Sequence, residues 1–483
     1  MNSSRSLERL ALAAILLLAY FMSSIPHWDY SYPVHVDEWW HYGDAQSLVQ
    51  AGGMPYPDPF YGGVPIFRDK EVGFHLLLGS VKLTTGISWL NMFLSLPGVF
   101  FVLLALLAYA FGKKRGFGLG AAFLVALIPT SYRVLGPSFL VPVALGLTFI
   151  PLTLFTLHRL MCDLRGPLIL FLITLSLLFI HPPTMAMVSA IALIHFVFFL
   201  LPGRGRDPRQ ARQSAIAFTL LIYIYVIMAF WAPTDLNSIL KEAGDPAAHL
   251  DAPPIWDALP KFGYIPVSLA VIGAGILIYG GKRHDLALVT AAAGLLVFQH
   301  IYPLFYIGPD IMYERGWLYL YVLMALLGGV ALRELCRWTT TALRHRPSMP
   351  SAAGYVLISI LAVSAFTLSL RSHLSEEYYH VIDNAAYQDF VWISEYVPSH
   401  FYVAALDTSV AWAFGSLSGK VAYTAEAAPN FHPEGRLTMQ FLSHGASDTS
   451  WLDERGISIV YIPFNISNND LAKVHNNFYL LTR

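Results

Sequence analysis

The sequence predicts a mostly α polytopic membrane protein, a helix bundle of about eleven spans with a small external α/β domain at its C-terminal end. Three observations lead there. Hydrophobic residues make up 56% and charged residues only 13% of the 483 positions, with a mean hydropathy of +0.54, whereas an ordinary soluble chain is roughly a quarter charged. Apolar runs that cross, or nearly cross, a ~30 Å hydrocarbon core recur from Leu7 to Leu370. Beyond Arg371 the composition turns polar and the runs shorten to strand length. Net charge is close to zero, with 30 Lys plus Arg against 31 Asp plus Glu, so no nucleic-acid partner is expected.

The expected spans are Leu7 to Ile25, Ser88 to Phe111, Gly118 to Ile128, Phe139 to Leu157, Pro167 to Ile180, Met185 to Leu201, Ala215 to Trp231, Val267 to Tyr279, Leu286 to Tyr302, Trp317 to Leu332 and Ala352 to Leu370. The first follows Arg5 and Arg9 as a signal peptide would, but no small-x-small cleavage site closes it, so it reads as a retained helix. Basic residues collect at Lys113 to Arg115, His158 to Arg165, Arg204 to Arg212, Lys282 to His284 and Arg333 to Arg346. A cytoplasmic amino terminus places every one of these clusters inside. It also makes Val72 to Gly86 a helix that lies on or dips into the outer face rather than a span. The domain division expected is a membrane module over residues 1–370, with a first external loop at 27–71, and an external α/β domain over 371–483. Strands are expected at Tyr402 to Leu406, Lys420 to Tyr423 and Ile457 to Ile462.

This topology sorts the candidate chemistry onto one external face. Asp37 and Glu38 follow the first span, flanked by Trp39, Trp40 and His41. Adjacent carboxylates held at a bilayer surface suit general-base work or a metal opposite phosphate. Arg133 and Arg315 each fall at an outer span end. A guanidinium is permanently charged and pairs with phosphate bidentately. Trp39, Trp40, Tyr42, Tyr56, Phe60 and Tyr61 suit stacking on a sugar face, although Trp and Tyr at span ends also serve as interfacial belts. His181 precedes Pro182-Pro183 and either caps a helix or meets substrate. There is no zinc-ligand spacing, no Gly-rich phosphate loop after a strand, and only Cys162 and Cys336 as thiols, so zinc, nucleotide and disulfide readings are unsupported.

The segment Asp37-Glu38-Trp39-Trp40-His41, followed by Gly52-Gly53, Pro55 and Asp58-Pro59-Phe60, resembles the first external loop of GT-C glycosyltransferases. The Asp-Glu pair is similar to the protein O-mannosyltransferase and aminoarabinose-transferase branch, and the later Asp-Pro-Phe to oligosaccharyltransferase catalytic subunits. The resemblance extends to Pro129 through Gly136, to Tyr313-Glu314-Arg315, and to Ala411-Trp412-Ala413-Phe414-Gly415, which stands where oligosaccharyltransferases carry Trp-Trp-Asp-Tyr-Gly. It implies transfer of a sugar or glycan from a polyprenyl-phosphate-linked donor to a glycan, lipid or protein acceptor, within a lipid bilayer. On that reading Asp37 or Glu38 is the catalytic base, and Trp39, Trp40, His41, Asp58, Arg133, His181, Tyr313, Glu314 and Arg315 bind substrate. Two departures narrow it. Ser131 to Ser138 holds no acid where that family has Asp-x-Asp, and Ala413 replaces the sequon-reading Asp. A metal-independent inverting transfer is therefore expected over sequon-directed transfer; no cofactor is expected, a divalent metal at Asp37 being the weaker option. A transporter or flippase of lipid-linked glycans would bury acids within its spans, and here they are nearly absent. A catalytically silent scaffold of the same fold is the third reading.

Overall fold

The computed structural model describes all residues except 1, 61–62, 132–134, 202–206, 232–254, 306–307, 309, 345–351, 379, 399–402, 405–407, 421, 424–432 and 483. Packing divides the chain into two compact units. One is Met1–Pro26 with Ser95–Glu377; the other is His27–Leu94 with Tyr378–Arg483. The first loop therefore belongs to the same unit as the tail.

Along the chain, helix α1 (Asn2–Ser24) precedes α2 (Val36–Ala51), the short strands β1 (Tyr56–Pro57) and β2 (Pro65–Ile66), and α3 (Val72–Thr85). Then come α4 (Trp89–Lys113), α5 (Gly118–Val125), α6 (Pro142–Arg159), α7 (Arg165–Ile180), α8 (Pro182–Leu200) and α9 (Pro208–Trp231). They are followed by α10 (Ile255–Phe262), α11 (Tyr264–Gly280), α12 (Arg283–Phe305), α13 (Asp310–Arg344) and α14 (Ala352–Leu374). Among the described residues, 8 helices are long and apolar enough to cross a membrane, with α7 and α11 as shorter apolar helices. The chain is a multi-pass membrane protein. The stretch Gly118 to Ile128, expected as a span, holds only the 8-residue α5, about 12 Å of helix at ~1.5 Å per residue. Pro129 lacks an N–H and biases Ile128 out of the helical region, so Ile128 to Ser131 follow as buried non-helical backbone. The 14-residue α3 is likewise too short to cross, and Gly86 ends it in the left-handed region.

In the first unit α13 is the core. Every residue from Gly316 to Leu332 is buried, as expected of a helix apolar on all sides. Small residues bring its neighbours close. A Cβ at Gly329 would stand 2.7 Å from the Ala121 nitrogen of α5, and one at Gly273 of α11 would overlap the Leu327 carbonyl. Residues of the basic clusters also meet at one end of this unit. Arg115 pairs with Asp285 at 2.5 Å, Arg333 donates to Arg115 O at 2.8 Å, and the His158 and His284 rings lie 4.6 Å apart.

The second unit adds α15 (Asn384–Tyr396), β3 (Val403–Ala404), α16 (Thr408–Ser418), β4 (Ala422–Tyr423), α17 (Pro433–Ser443), α18 (Ser450–Glu454), β5 (Ile459–Tyr461), β6 (Leu471–His475) and β7 (Phe478–Leu481). Its sheet has the order β4-β3-β5-β7-β6. β3 pairs in parallel with β4 and β5, and β7 is antiparallel to β5 and β6. Phe441, Leu452, Val460 and Ile462 form its apolar core. The three strand expectations fall on β4, β3 and β5; the β6–β7 hairpin is additional. The loop segment packs on this domain through the chain: Tyr30 donates to Ile382 O at 2.9 Å, and Ala422 N–H to Pro59 O at 3.2 Å.

Candidate active-site residues

The first turn of α2 is built by a reciprocal cap. His35, in extended conformation, accepts the Asp37 N–H at Nδ1 (3.1 Å), while Glu38 Oε2 accepts the N–H groups of Val34 (2.8 Å) and His35 (3.0 Å). Such a capping box satisfies donors the helix leaves open, and the partial positive helix end favours both carboxylates. The two acids differ sharply in access. Glu38 is fully buried and its carboxylate holds the cap together. Asp37, with its side chain 29% exposed and 3.8 Å from His35 Nδ1, is the one open to solvent.

The two indoles separate in the same way. Trp39 is fully buried and stacks on Tyr42 at 5.9 Å, so it is a core residue with no face open to a sugar. Trp40 is 44% exposed and lies 5.3 Å from Trp412 of α16, giving an open aromatic corner. Ser416 donates to Trp39 O at 2.6 Å. Phe60 wedges between the helices: a Cβ at Gly415 would stand 3.0 Å from its ring, and one at Gly43 would overlap it. The Asp-Pro-Phe and Trp-Ala-Phe-Gly segments, some 350 residues apart in sequence, are thus one packed element. Asp58 has a turn role here, accepting Phe60 N–H at 2.8 Å.

His41 begins a buried chain that local spacing did not reveal. His41 Nδ1 lies 3.0 Å from His75 Nε2, His75 Nδ1 donates to Asp69 Oδ2 at 2.6 Å, and Tyr56 OH donates to the same oxygen at 3.1 Å. Burial opposes charge on both His75 and Asp69, but their mutual hydrogen bond and attraction prevail: His75 is held above its ordinary pKa and Asp69 below. Once His75 is charged, its Nε2–H donates to His41. Asp44 stands apart. Trp40 Nε1 donates to its Oδ2 at 2.8 Å, its Oδ1 has no hydrogen-bond partner among the described residues, and burial pushes its carboxyl up to about 8.

With Asp44 raised from 3.8 to about 8, the folded state binds more protons than the unfolded state between those values, so stability falls as pH rises through that window. His75, also raised, adds a loss in the same direction above its ordinary range. Asp44→Asn keeps an acceptor for Trp40 and removes the ionisation. The fall in melting temperature between pH 6 and pH 9 is expected to shrink in this variant without vanishing; an unchanged slope would show that Asp44 does not titrate there.

In the first unit, His181 is the single residue between α7 and α8. It caps α8, accepting Thr184 N–H at 3.3 Å, with its Nδ1 2.7 Å from Thr184 Oγ1. That hydroxyl in turn lies 2.8 Å from Tyr319 OH. Burial, then the Arg315 charge, pushes His181 down to about 3, so it is neutral. Tyr313 is fully buried and stacks on Tyr302 at 4.5 Å. Arg315 pairs with Glu314 at 3.6 Å. Arg133 lies outside the described residues. No group of three or more His, Cys, Asp or Glu side chains among the described residues has a metal-holding arrangement.

No protein-family model and no curated protein matches the sequence. Solved structures do. The oligosaccharyltransferase of Archaeoglobus fulgidus, tethered to an acceptor peptide containing an NVT sequon, aligns at 12% identity over 93% of this chain and 68% of its own, with a TM-score of 0.63. ArnT from Cupriavidus metallidurans, bound to undecaprenyl phosphate, aligns at 12% identity over 99% and 98%, with a TM-score of 0.58. The arabinofuranosyltransferase AftD from Mycobacteria aligns at 12% identity over 97% of this chain but only 37% of its own, with a TM-score of 0.56. At such identities the likeness is one of fold.

Proposed function

Since the fold shared with these structures is the GT-C fold, we propose that this chain is a membrane glycosyltransferase that moves a sugar from a polyprenyl-phosphate-linked donor to an acceptor. The observation that carries the reading beyond fold is Asp37: a solvent-reachable carboxylate at the first turn of α2, beside an open aromatic corner, with its neighbour Glu38 committed to the cap. Asp37 takes the proton of the acceptor as the acceptor atom bonds to the anomeric carbon. The bond from that carbon to the phosphate oxygen breaks, the electron pair leaves with the polyprenyl phosphate, and configuration inverts. Trp40 and Trp412 offer ring faces to a sugar. Arg133 and Arg315 both carry, from sequence, the expectation of positive charge for a departing phosphate. We place the amino terminus in the cytoplasm and the unit containing α2 outside, following the basic clusters. Sequon reading is not part of the proposal, because Ala413 occupies the acid's place.

The test uses purified protein and a synthetic polyprenyl-phosphate sugar. Arg315→Ala is expected to weaken donor affinity by roughly 10- to 100-fold, the range of a lost charge-assisted hydrogen bond. Unchanged donor affinity would remove Arg315 from donor binding.

A further inference from the structure

At the end of α7 remote from His181, the first unit has a cleft of about 860 Å³ that none of the roles above uses. It is lined by the α6–α7 connection, by Arg165 at the start of α7, and by Arg209, Arg212 and Gln213 in the first turns of α9. Three guanidinium groups thus face it against one acid, Asp163. That acid is already engaged, accepting Arg165 N–H at 2.8 Å, and Asp207 accepts Arg209 N–H at 2.8 Å. None of the three arginines has an ion-pair partner among the described residues. Arg209 and Arg212 stand three apart on α9 and so share a face. Helices α7 and α9, 16 and 24 residues long, both begin at the cleft and pack together, so two partially positive helix ends meet there.

A second observation is independent of charge. Gln213 lines the cleft while only 1% exposed, and its side-chain oxygen has no hydrogen-bond partner among the described residues. A buried amide with one half unmet is costly unless something completes it. Turned over, it presents its NH₂ to an anion; as it stands, it accepts from a headgroup hydroxyl. Basic residues at membrane surfaces attract anionic lipid without any built site. The concavity and the buried amide distinguish this place from such a surface.

We propose that this cleft is a phosphate-binding site, taking the phosphodiester of an anionic phospholipid headgroup or free phosphate. The proposal is independent of the transfer reaction, and its readout is binding. Native mass spectrometry of the full chain in detergent, titrated with phosphatidylglycerol or phosphatidylcholine, is paired with thermal unfolding in inorganic phosphate. Phosphatidylglycerol is expected to bind in preference to phosphatidylcholine, and the Arg209→Gln/Arg212→Gln double variant to lose that binding by roughly 10- to 30-fold. Gln213→Leu, which leaves every guanidinium in place, is expected to weaken it as well and serves if the double variant fails to fold. Inorganic phosphate that raises the melting temperature of the parent but not of the variants identifies the free ion as the ligand. A response to phosphatidylglycerol alone identifies the headgroup. Equal binding of both lipids to the parent without phosphate stabilisation, or binding unchanged in the variants, overturns the site.

Discussion

Asp37→Asn is expected to lower turnover by roughly 10²- to 10⁴-fold, the cost of a lost general base, while donor affinity stays near that of the parent. The substitution keeps the size and the backbone of the first turn of α2, because the cap is made by His35 and Glu38 rather than by the Asp37 carboxylate. That separation makes the result interpretable. Glu38→Gln tests the other acid: its loss is expected to appear as lower stability of the cap, by about 0.5–2 kcal/mol, rather than as a selective loss of turnover. Steady-state kinetics with a polyprenyl-phosphate sugar, paired with melting curves for both variants, tell the two apart. Near-normal turnover in folded Asp37→Asn removes this carboxylate from the reaction.

The largest stability effect is expected at Gly273→Val, deep in the contact between α11 and α13. A Cβ at this glycine would overlap the Leu327 carbonyl and stand 2.7 Å from its carbon. Backbone cannot swing aside as a side chain does, so the helices must part, at a cost of about 3 kcal/mol or more. Gly275→Val, two residues along the same helix, is the control: among the described residues, nothing outside the helix itself lies within 4 Å of a Cβ there. Folded yield and melting temperature in detergent are expected to collapse for the first and hold for the second. Equal losses would mean that valine is poorly tolerated in α11 for reasons other than this contact.

Most of the helices were legible because the bilayer imposes one rule on every span: enough apolar residues to cross it. The rule says least at Gly118 to Ile128, an apolar run that nearly crosses and in which helix stops after Val125, ahead of Pro129. In the tail, Ile457 to Ile462 showed itself as a strand through its own β-branched run. The hairpin that completes the sheet turns on Asn476, with φ 27°, and its Lys473-Val474-His475 arm is too polar to stand out. The candidate residues were legible by type more than by job. An acid pair at a span end marked the right turn of chain, but the division of labour between Asp37 and Glu38 depends on which carboxylate folds back onto Val34 and His35. The His41–His75–Asp69 chain joins residues up to 34 positions apart, and no periodicity links them.

The second unit is assembled from the beginning and the end of the chain, and this bears on how the protein is made. Tyr30 reaches Ile382 across 352 residues and Trp39 reaches Ser416 across 377. At a synthesis rate of about 5–20 residues per second, α2 waits on the order of 20 to 70 seconds for its partner helix to exist. During that interval Phe60, fully buried in the finished unit, lacks one wall of its pocket. Nascent chains stalled before α16 should therefore carry an exposed aromatic surface on the first loop, making this segment the natural client of a chaperone on its side of the membrane.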